Sequence, residues 1–235
     1  MASFTLVIPC FNEEKNIESL VKEIRKLESL VNLEIILVDN GSTDNTKNEL
    51  IKIEKQKILK NLKLIFVEKN IGFGFGVKKG VIASSSNLVC YTHADLQTDI
   101  LDVHKAYKIF KDRESENCLV KGKRINRSIS ESIFSISMSI INSIIFRYKI
   151  FDIHAQPNFF KKNMITDLNY FPNDFGIDIY LLLVAKRKKY NVVRFEVLFK
   201  KRKYGVGNNE GIINKIKHSY KSIISAIQIL TYGKF

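Results

Sequence analysis

The first part of the chain alternates between short apolar runs and amphipathic segments, and this alternation restricts the fold more than any other feature. Runs rich in β-branched residues occupy four stretches, residues 4–8, 33–38, 62–67 and 88–92. Between the first two, apolar residues recur at helical spacing from Ile17 to Leu27. Strands that alternate with helices predict an α/β protein, with a mostly parallel central sheet and helices on both faces.

The second half of the chain continues with a less regular succession of elements. Further strands are predicted at residues 118–121 and 192–200, and helices at 101–111, 128–148, 175–190 and 212–230. Residues 151–160, around Pro157, are predicted to be irregular, and residues 204–211 to form a loop. No repeat, linker or low-complexity segment divides the chain, so we expect residues 1–235 to form one domain.

Polar residues follow each of the first four predicted strands, at the point where the strand ends. They occupy residues 9–13, 39–42, 70–72 and 93–99. The carboxyl ends of parallel strands meet at one edge of a sheet, and ligands of such sheets bind beyond that edge. We therefore expect these four loops to surround a single pocket.

The last of these loops, His93-Ala94-Asp95-Leu96-Gln97, offers ligands for a hard cation. Mg²⁺ and Mn²⁺ prefer oxygen ligands, and Mg²⁺ is usually held by one or two carboxylates together with substrate phosphates. The loop therefore points to a phosphate-bearing substrate. Its alternative role is structural, because an aspartate after a strand often forms a turn or caps a helix.

The net charge of +14 favours anionic partners such as nucleotides, phospholipid headgroups or nucleic acids. Nucleic acid is not expected, because the sequence contains no zinc pattern, recognition helix or aromatic RNA-binding platform. Three scattered cysteines without a CxxC pair indicate a reducing, intracellular compartment.

The sequence enters a predicted strand at once, so no secretory signal is expected. No stretch reaches the ~18 consecutive apolar residues of a membrane span. We expect a cytoplasmic protein. The isoleucine-rich helices at 129–146 and 212–230 leave two alternatives open. Either they contact the inner face of a membrane as peripheral elements, or they are core or dimer helices.

Four sequence blocks together resemble the inverting GT-A glycosyltransferases of family 2, which include dolichyl-phosphate mannose synthases. The blocks are VIPCFNEEKNI, ILVDNGSTDNT, NIGFGFGVKKG and HADLQTD, and the resemblance extends from about residue 4 to residue 207. It implies a GT-A, Rossmann-like fold with a nucleotide-sugar-binding half (about residues 1–122) and an acceptor-side half (about residues 123–235). A dinucleotide site is rejected, because its GxGxxG fingerprint would follow the first strand.

The resemblance implies which residues hold the donor. Asp39 would accept a hydrogen bond from a base N–H, and Glu13 would contact the base or the ribose. The planar fork of Arg202 would suit the diphosphate oxygens. The other implied donor-binding residues are Pro9, Asn12, Asn70, Gly72 and Gln97. Structural alternatives are a helix start for Glu13 and a turn for Asp39.

The family's acidic motif is Asp-x-Asp, and this chain has His93 in place of the first acid. Asp95 matches the second acid and Gln97 matches the amide that follows it. The resemblance implies a catalytic Mg²⁺ or Mn²⁺ ion held by Asp95 and His93. A neutral imidazole suits Mn²⁺ better than Mg²⁺. His93 could instead contact only the ribose, or support the metal ligands without binding the metal itself, so the identity of the metal stays open.

Residues 152–159 resemble the family segment that lines the sugar and the acceptor, and Gln156 and Asn158 would hydrogen-bond sugar hydroxyls. Asp178 matches the acid that is the candidate general base in members with a hydroxyl acceptor. A phosphate acceptor is already ionised and would need no base. Asp174 and Asp178 are four residues apart and would share a helix face. Gly207 stands where the family has a serine.

The resemblance therefore implies an inverting, metal-dependent enzyme that transfers one sugar from a UDP- or GDP-linked donor. The acceptor is a glycan or a lipid-linked acceptor such as polyprenyl phosphate, and a homodimer is compatible with this function. Two alternatives are carried forward. His93 is compatible with a catalytically silent nucleotide-sugar-binding protein in a surface-glycan assembly complex, and the net charge alone is compatible with a nucleic-acid-binding protein.

Overall fold

One central sheet runs through the computed structural model, which describes residues 2–113, 116–126, 129–165, 171–202 and 212–232. Its strands are β1 (Thr5–Cys10), β2 (Glu34–Asp39), β3 (Leu62–Phe66), β4 (Leu88–Tyr91), β5 (Cys118–Ile125), β6 (Asn158–Lys161) and β7 (Asn191–Leu198). The helices are α1 (Glu14–Glu28), α2 (Thr46–Lys55), α3 (Phe73–Ala83), α4 (Asp102–Lys111), α5 (Ile129–Phe146), α6 (Gly176–Arg187) and α7 (Ile212–Tyr232), with a short 3-10 turn at Lys162–Met164.

The order of the strands places the first four carboxyl ends together. The sheet runs β3-β2-β1-β4-β6-β5-β7. β1 pairs in parallel with β2 and β4, and β2 pairs in parallel with β3. β6 is antiparallel to both of its neighbours, and β5 pairs in parallel with β7. The prediction of a mostly parallel sheet is confirmed, and the loops after β1, β2, β3 and β4 lie at one edge.

β6 contradicts the irregular structure predicted for the end of the 151–160 segment. Asn158 pairs with Tyr91 of β4 and with Lys121 of β5. Pro157 comes directly before the strand, where its missing N–H removes no hydrogen bond from the ladder. A strand of four residues is too short for its hydrophobic period to be visible in the sequence.

Apolar side chains cover both faces of the sheet, because successive strand residues point to opposite sides. Leu6 and Ile8 of β1 are fully buried in a cluster that includes residues of α1, α2 and α4. Val7 points the other way, into a cluster with residues of α3, α5, α6 and α7. The three cysteines are free thiols in the interior. The helices on both faces agree with the predicted fold class.

α5 and α7 contact each other and also expose apolar side chains to solvent. On α5, Ile133, Ile140 and Ile144 are 60%, 54% and 71% exposed. On α7, Ile227 and Leu230 are each 51% exposed. In the part of the chain that the structure describes, no helix has both the length and the apolar character needed to cross a bilayer.

Candidate active site

Side-chain hydrogen bonds join the loops after β1 and β2. Oδ1 of Asn12 accepts a hydrogen bond from the N–H of Thr43 at 2.8 Å, and the N–H of Asn12 donates to Oγ of Ser42 at 3.1 Å. The N–H of Glu13 donates to Oγ1 of Thr46 at 2.8 Å. Asn12 has φ 55°, a left-handed conformation that asparagine tolerates better than most residues. Asn12 therefore holds the two loops together, and its contact with a donor stays a prediction.

Asp39, the last residue of β2, lies at the base of these loops and is only 2% exposed. Its Oδ1 accepts a hydrogen bond from the N–H of Ser42 at 3.1 Å, which is the turn-forming role left open by the sequence. Its Oδ2 has no hydrogen bond to any residue that the structure describes. One oxygen thus supports the turn, and the other is available for the base contact that the family resemblance implies.

Close backbone approaches bring the loop after β3 to the same edge. Gly41 has φ +77°, and a Cβ at this position would lie 2.4 Å from the backbone nitrogen of Asn70. Gly72 has φ +140°, and a Cβ there would lie 2.4 Å from the carbonyl oxygen of Asn173. Asn70 and Gly72 thus lie where the loops meet, and any larger residue at position 41 or 72 would separate them.

The acidic turn, residues 93–99, is held by the segment that follows β7. Oδ1 of Asp95 accepts a hydrogen bond from the N–H of Gln97 at 3.1 Å. The carbonyl of Gln97 accepts one from the N–H of Lys200 at 2.7 Å, and Nε2 of Gln97 donates to the carbonyl of Lys200 at 3.2 Å. Nζ of Lys200 lies 3.3 Å from Oδ2 of Asp99. Gln97 therefore anchors the post-β7 segment, a role that the sequence did not indicate.

Arg202, in the same segment, forms an ion pair with Glu13 of the first loop. Burial raises the pKa of Glu13, although its contacts with Asn16 and Arg202 act in the opposite direction, and the charge of Asp95 adds to the increase. Nε of Arg202 is buried without a hydrogen-bond partner among the described residues. Arg202, predicted to bind the diphosphate, is therefore paired with Glu13, predicted to contact the nucleobase or the ribose. Nε of Arg202 is an unsatisfied donor between the first loop and the post-β7 segment.

A buried polar network is centred on Asp178, in the first turn of α6. Its Oδ1 accepts hydrogen bonds from the hydroxyl of Tyr91 at 2.6 Å, from Nδ2 of Asn158 at 3.2 Å and from Nε2 of Gln156 at 3.3 Å. Nδ1 of His154 lies 3.0 Å from its Oδ2. Both oxygens of Asp178 are thus occupied by groups of the protein.

Lys121 of β5 supplies a positive charge to this network. Its Nζ lies 3.6 Å from Oδ1 of Asp178, and both side chains have 0% exposure. Burial lowers the pKa of Lys121 to about 8, and the charge of Asp178 opposes that decrease. Burial also opposes the ionisation of Asp178, but Lys121 and the hydrogen bonds of His154 and Tyr91 hold the pKa of this carboxyl well below its usual range.

These contacts bear on the predicted roles on the acceptor side. Asp178, the predicted general base, has no exposed atom through which to meet an acceptor in this structure. Gln156 and Asn158, predicted to bind sugar hydroxyls, are 1% and 0% exposed and donate to Asp178. Asp174 precedes α6 and accepts a hydrogen bond from the N–H of Gly176 at 2.8 Å, so the helix face predicted for Asp174 and Asp178 is wrong.

Aromatic side chains link this network to the acidic turn. The ring centroid of Phe73, at the start of α3, lies 4.6 Å from that of His93 and 5.2 Å from that of Phe175. The ring of Phe175 lies 6.0 Å from that of His154. Burial lowers the pKa of His93, although nearby carboxylates including Asp95 act in the opposite direction. His93 therefore presents a neutral imidazole at pH 7.

Asp95 and His93 offer one carboxylate and one imidazole to a cation at this edge. Among the described residues, no group of three or more histidine, cysteine or acidic side chains is arranged to hold a metal. Oδ2 of Asp95 makes no hydrogen bond within the described part of the chain. The ligand set fits Mn²⁺ or Mg²⁺ on condition that substrate phosphates complete the coordination.

Sequence reasoning missed three residues of the network: Tyr91, Lys121 and His154. A lysine inside the apolar run Cys118-Leu-Val-Lys-Gly122 was the available signal, because a lysine is rarely buried unless it is paired. His154 lay within a segment already assigned to the acceptor side, but nothing local marked it. Pro9 was predicted to follow the first strand as the start of the first loop, but β1 continues through it to Cys10. The role of Pro9 in donor binding stays a prediction. Gly207 and the whole of the predicted loop 204–211 lie outside the described residues.

Comparison with known proteins identifies relatives of this chain. The family described as glycosyl transferase family 2 matches residues 5–169. An uncharacterized protein of Methanocaldococcus jannaschii is 29% identical over 197 residues, which cover 80% of this chain and 83% of that protein.

Several of the relatives carry the names of enzymes. The dolichyl-phosphate beta-glucosyltransferase of Dictyostelium discoideum is 24% identical over 63% of this chain and 47% of its own length. The poly(ribitol-phosphate) beta-N-acetylglucosaminyltransferase TarS of Staphylococcus aureus is 27% identical over 90% of this chain and 36% of its own length. The chain thus spans less than half the length of these two enzymes.

A solved structure has the same fold. Glucosyl-3-phosphoglycerate synthase from Mycobacterium tuberculosis, in complex with Mn²⁺, UDP and glucosyl-3-phosphoglycerate, superposes with a TM-score of 0.74 at 18% identity. The match covers 97% of this chain and 79% of that one. Together with the strand order, this likeness confirms the GT-A fold predicted from the sequence.

Proposed function

The chain belongs to glycosyl transferase family 2, and from this premise we propose that it transfers one sugar from a nucleoside diphosphate sugar to a nucleophilic acceptor, with inversion at the anomeric carbon. The convergence of Glu13, Asp39 and Asp95 at the carboxyl edge of the sheet is the observation that carries the proposal. Glu13 is close enough to Asp95 for the charge of Asp95 to raise the pKa of Glu13.

The donor would lie between the first loop and the post-β7 segment. The unoccupied Oδ2 of Asp39 is suited to a base N–H, and the unsatisfied Nε of Arg202 is suited to a phosphate oxygen. The UDP in the complex of the mycobacterial synthase supports a uridine donor, and a GDP-linked donor stays the alternative.

Asp95 and His93 would hold a divalent cation together with the donor diphosphate. The Mn²⁺ in the mycobacterial complex supports such an ion, and the imidazole of His93 favours Mn²⁺ over Mg²⁺. When bound, such a cation would neutralise the negative charge that grows on the leaving nucleoside diphosphate. Within the acidic turn, the hydrogen bond from the N–H of Gln97 to Oδ1 of Asp95 keeps the Asp95 side chain in place.

The acceptor would be a glycan or a polyprenyl phosphate. The name of the Dictyostelium relative supports a polyprenyl phosphate, and that of the Staphylococcus relative supports a surface polymer. Either acceptor is compatible with contact between α5 or α7 and a membrane. Exposed Ile140 and Ile144 would enter the interface, and Arg147 and Lys149, both exposed, would meet anionic headgroups. A homodimer through the same isoleucines is the competing arrangement.

Replacement of the first motif acid by His93 favours one alternative, a silent nucleotide-sugar-binding protein. Two experiments separate the active transferase from the silent binding protein. The first is a thermal-shift screen of UDP- and GDP-sugars with Mn²⁺ or Mg²⁺. The second is a transfer assay with each nucleotide sugar that raises the melting temperature of the protein. A ligand at 100 times its dissociation constant adds about 2.7 kcal/mol of stability. Binding without transfer to any acceptor would favour the silent protein. No stabilisation by any donor would overturn both readings.

A further inference from the structure

The carboxylate of Glu13 is bonded on both of its oxygens to side chains of the protein. We propose that Glu13 is a positioning residue, which holds the guanidinium of Arg202 for the donor diphosphate, and that it does not recognise the base or the ribose. The inference rests on the proposed function and deepens it. It assigns Glu13 and Arg202 together to the diphosphate and leaves the base to other residues, Asp39 among them.

Two side chains occupy the carboxylate of Glu13. Its Oε2 accepts a hydrogen bond from Nδ2 of Asn16 at 2.5 Å, and its Oε1 accepts one from Nη2 of Arg202. The side chain of Glu13 is only 9% exposed. A ribose hydroxyl or a base N–H would therefore have to reach a carboxylate that is nearly covered and already hydrogen-bonded on both oxygens.

The backbone of Glu13 makes the residue a rigid support. Its N–H donates to Oγ1 of Thr46 at 2.8 Å, and its carbonyl accepts from the N–H groups of Asn16 and Ile17 at 2.7 and 3.1 Å. These bonds fix Glu13 at the start of α1 and against the start of α2. An arginine side chain has much rotamer freedom to lose, so a fixed partner for its guanidinium reduces what a ligand must order.

The guanidinium of Arg202 is held at one nitrogen and unsatisfied at another. Nη2 donates to Glu13, whereas Nε is buried and has no hydrogen-bond partner in the described part of the chain. A buried donor without an acceptor is costly, and a phosphate oxygen at Nε would remove that cost. Hydrogen bonds between guanidinium and phosphate are among the stronger ones in proteins. The unsatisfied donor therefore points to an anionic ligand, independently of the ion pair.

The ion pair is also in a suitable place. The charge of Asp95 contributes to the raised pKa of Glu13, so the two carboxylates are close. Two positions before Arg202, the backbone of Lys200 exchanges hydrogen bonds with Gln97 of the acidic turn. Arg202 thus lies next to both the first loop and the turn that would hold the cation. A diphosphate bound to that cation would be within the reach of its side chain.

Glu13 also has an electrostatic effect that must be separated from positioning. Its negative charge acts against a diphosphate by Coulomb repulsion, whereas its hold on Arg202 acts in favour of one. Glu13→Gln and Glu13→Ala remove the same charge. Glutamine keeps a carbonyl oxygen that can accept from Nη2 of Arg202, and alanine does not. A comparison of the two variants therefore isolates positioning from charge.

The test measures dissociation constants of UDP and uridine by NMR titration, or of GDP and guanosine if GDP is the nucleotide that stabilises the wild type. For the nucleoside diphosphate, we expect the constant of Glu13→Ala to exceed that of Glu13→Gln by about 3- to 10-fold, the effect of ordering one rotamer-rich side chain. For the nucleoside, the two constants should be equal. They should also be equal for the diphosphate in an Arg202→Gln background.

Matched controls come from the same helix. Glu18 is exposed on α1, and Glu18→Ala and Glu18→Gln should bind the nucleoside diphosphate equally. A second measurement observes the guanidinium directly. In nitrogen-15 NMR of the arginine side chains, the Nε–H resonance of Arg202, assigned by its loss in Arg202→Gln, should shift with the nucleoside diphosphate but not with the nucleoside.

The possible results separate this inference from the proposed function. Three results would overturn the inference alone: equal diphosphate affinity in Glu13→Ala and Glu13→Gln, an equal loss of nucleoside affinity in Glu13→Ala, or a difference between the variants that persists without Arg202. An Nε–H resonance that does not respond to the nucleoside diphosphate would also overturn it. A wild-type protein that binds no nucleoside diphosphate, with Mn²⁺ or Mg²⁺ present, would overturn both.

Discussion

Nζ of Lys121 lies 3.6 Å from Oδ1 of Asp178, and neither side chain has any exposure to solvent. The pair joins β5 to the first turn of α6, across the strand that carries Asn158. Two charges removed from water are tolerated only when each has a partner and hydrogen bonds. The stability of the contact between β5 and α6 therefore depends on both members of the pair.

Removal of the amine alone should be costly. Lys121→Met leaves the carboxylate of Asp178 buried without its cation, and we expect a loss of about 3–5 kcal/mol in the free energy of unfolding. Urea denaturation measures it. Lys123→Met is the matched control, because Lys123 pairs with Glu196 while 50% exposed and should change stability by less than about 1 kcal/mol. Equal effects of the two substitutions would contradict the importance of the buried pair.

Acid should weaken the fold partly through Asp178. The pKa of this carboxyl is lower in the folded protein than its ordinary value of 3.8. Its contribution is therefore complete above that value and is lost as the pH falls below it. Between pH 5 and about 2, the urea midpoint of the wild type should fall more steeply than that of Asp178→Asn. Parallel slopes would show that Asp178 is not stabilised as an anion.

Arg202 should contribute to donor affinity. A charge-assisted hydrogen bond contributes about 1.5–3 kcal/mol, so Arg202→Gln should raise the dissociation constant of the best donor by about 10- to 100-fold. Lys201→Gln, an exposed neighbour of the same charge, should change it by less than about threefold. Calorimetric titration measures both. Unchanged donor affinity in Arg202→Gln would limit the role of this residue to its ion pair with Glu13.

Chelation should abolish transfer, and the choice of metal should depend on position 93. Because the proposed metal ligands are one carboxylate and one imidazole, we expect wild-type activity to be higher with Mn²⁺ than with Mg²⁺. His93→Asp restores a second carboxylate and should shift the preference toward Mg²⁺, measured as the ratio of initial rates with the two ions. Asp95→Ala should be inactive with either ion. An unchanged ratio in His93→Asp would place His93 outside the coordination sphere.

Membrane contact should depend on the exposed face of α5. Replacement of Ile140 and Ile144 with lysine should reduce flotation with anionic phosphatidylserine vesicles, because each buried isoleucine contributes about 1.5–3 kcal/mol to an apolar contact. Ile82→Lys, which alters an isoleucine 51% exposed on α3, is the control. If the wild type instead behaves as a dimer in light scattering and does not float, the isoleucines form a dimer contact.

The sheet and the meeting of its first four loops were predictable, because both follow from hydrophobic period and the geometry of parallel strands. β6 was not, because its four residues leave no period to read. The residues of the candidate site likewise fall into two groups, those that local sequence could predict and those that it could not. Asp39 and Asp95 are local signals at strand ends, whereas the buried network depends on contacts between residues far apart in sequence, such as Tyr91 and Asp178, 87 positions apart.

The orientation of several predicted site side chains could not be predicted from the sequence either. Gln156 and Asn158 are polar residues beside an expected sugar site, and composition cannot distinguish a side chain that faces the cleft from one that supports it. The structure shows both donating inward to Asp178. Their residue types were informative, but their orientation is set by tertiary packing around β6.

The hydrogen bonds between Gln97 and Lys200 place a late part of the chain next to an early one. During synthesis, the first four strands leave the ribosome long before Lys200 and Arg202 do. A nascent or truncated chain that ends before this segment would possess Asp39 and Asp95 but neither the guanidinium beside Glu13 nor the anchor of the acidic turn. Under the proposed function, the contacts that would hold a nucleotide sugar are complete only after the post-β7 segment has returned to the loops made first.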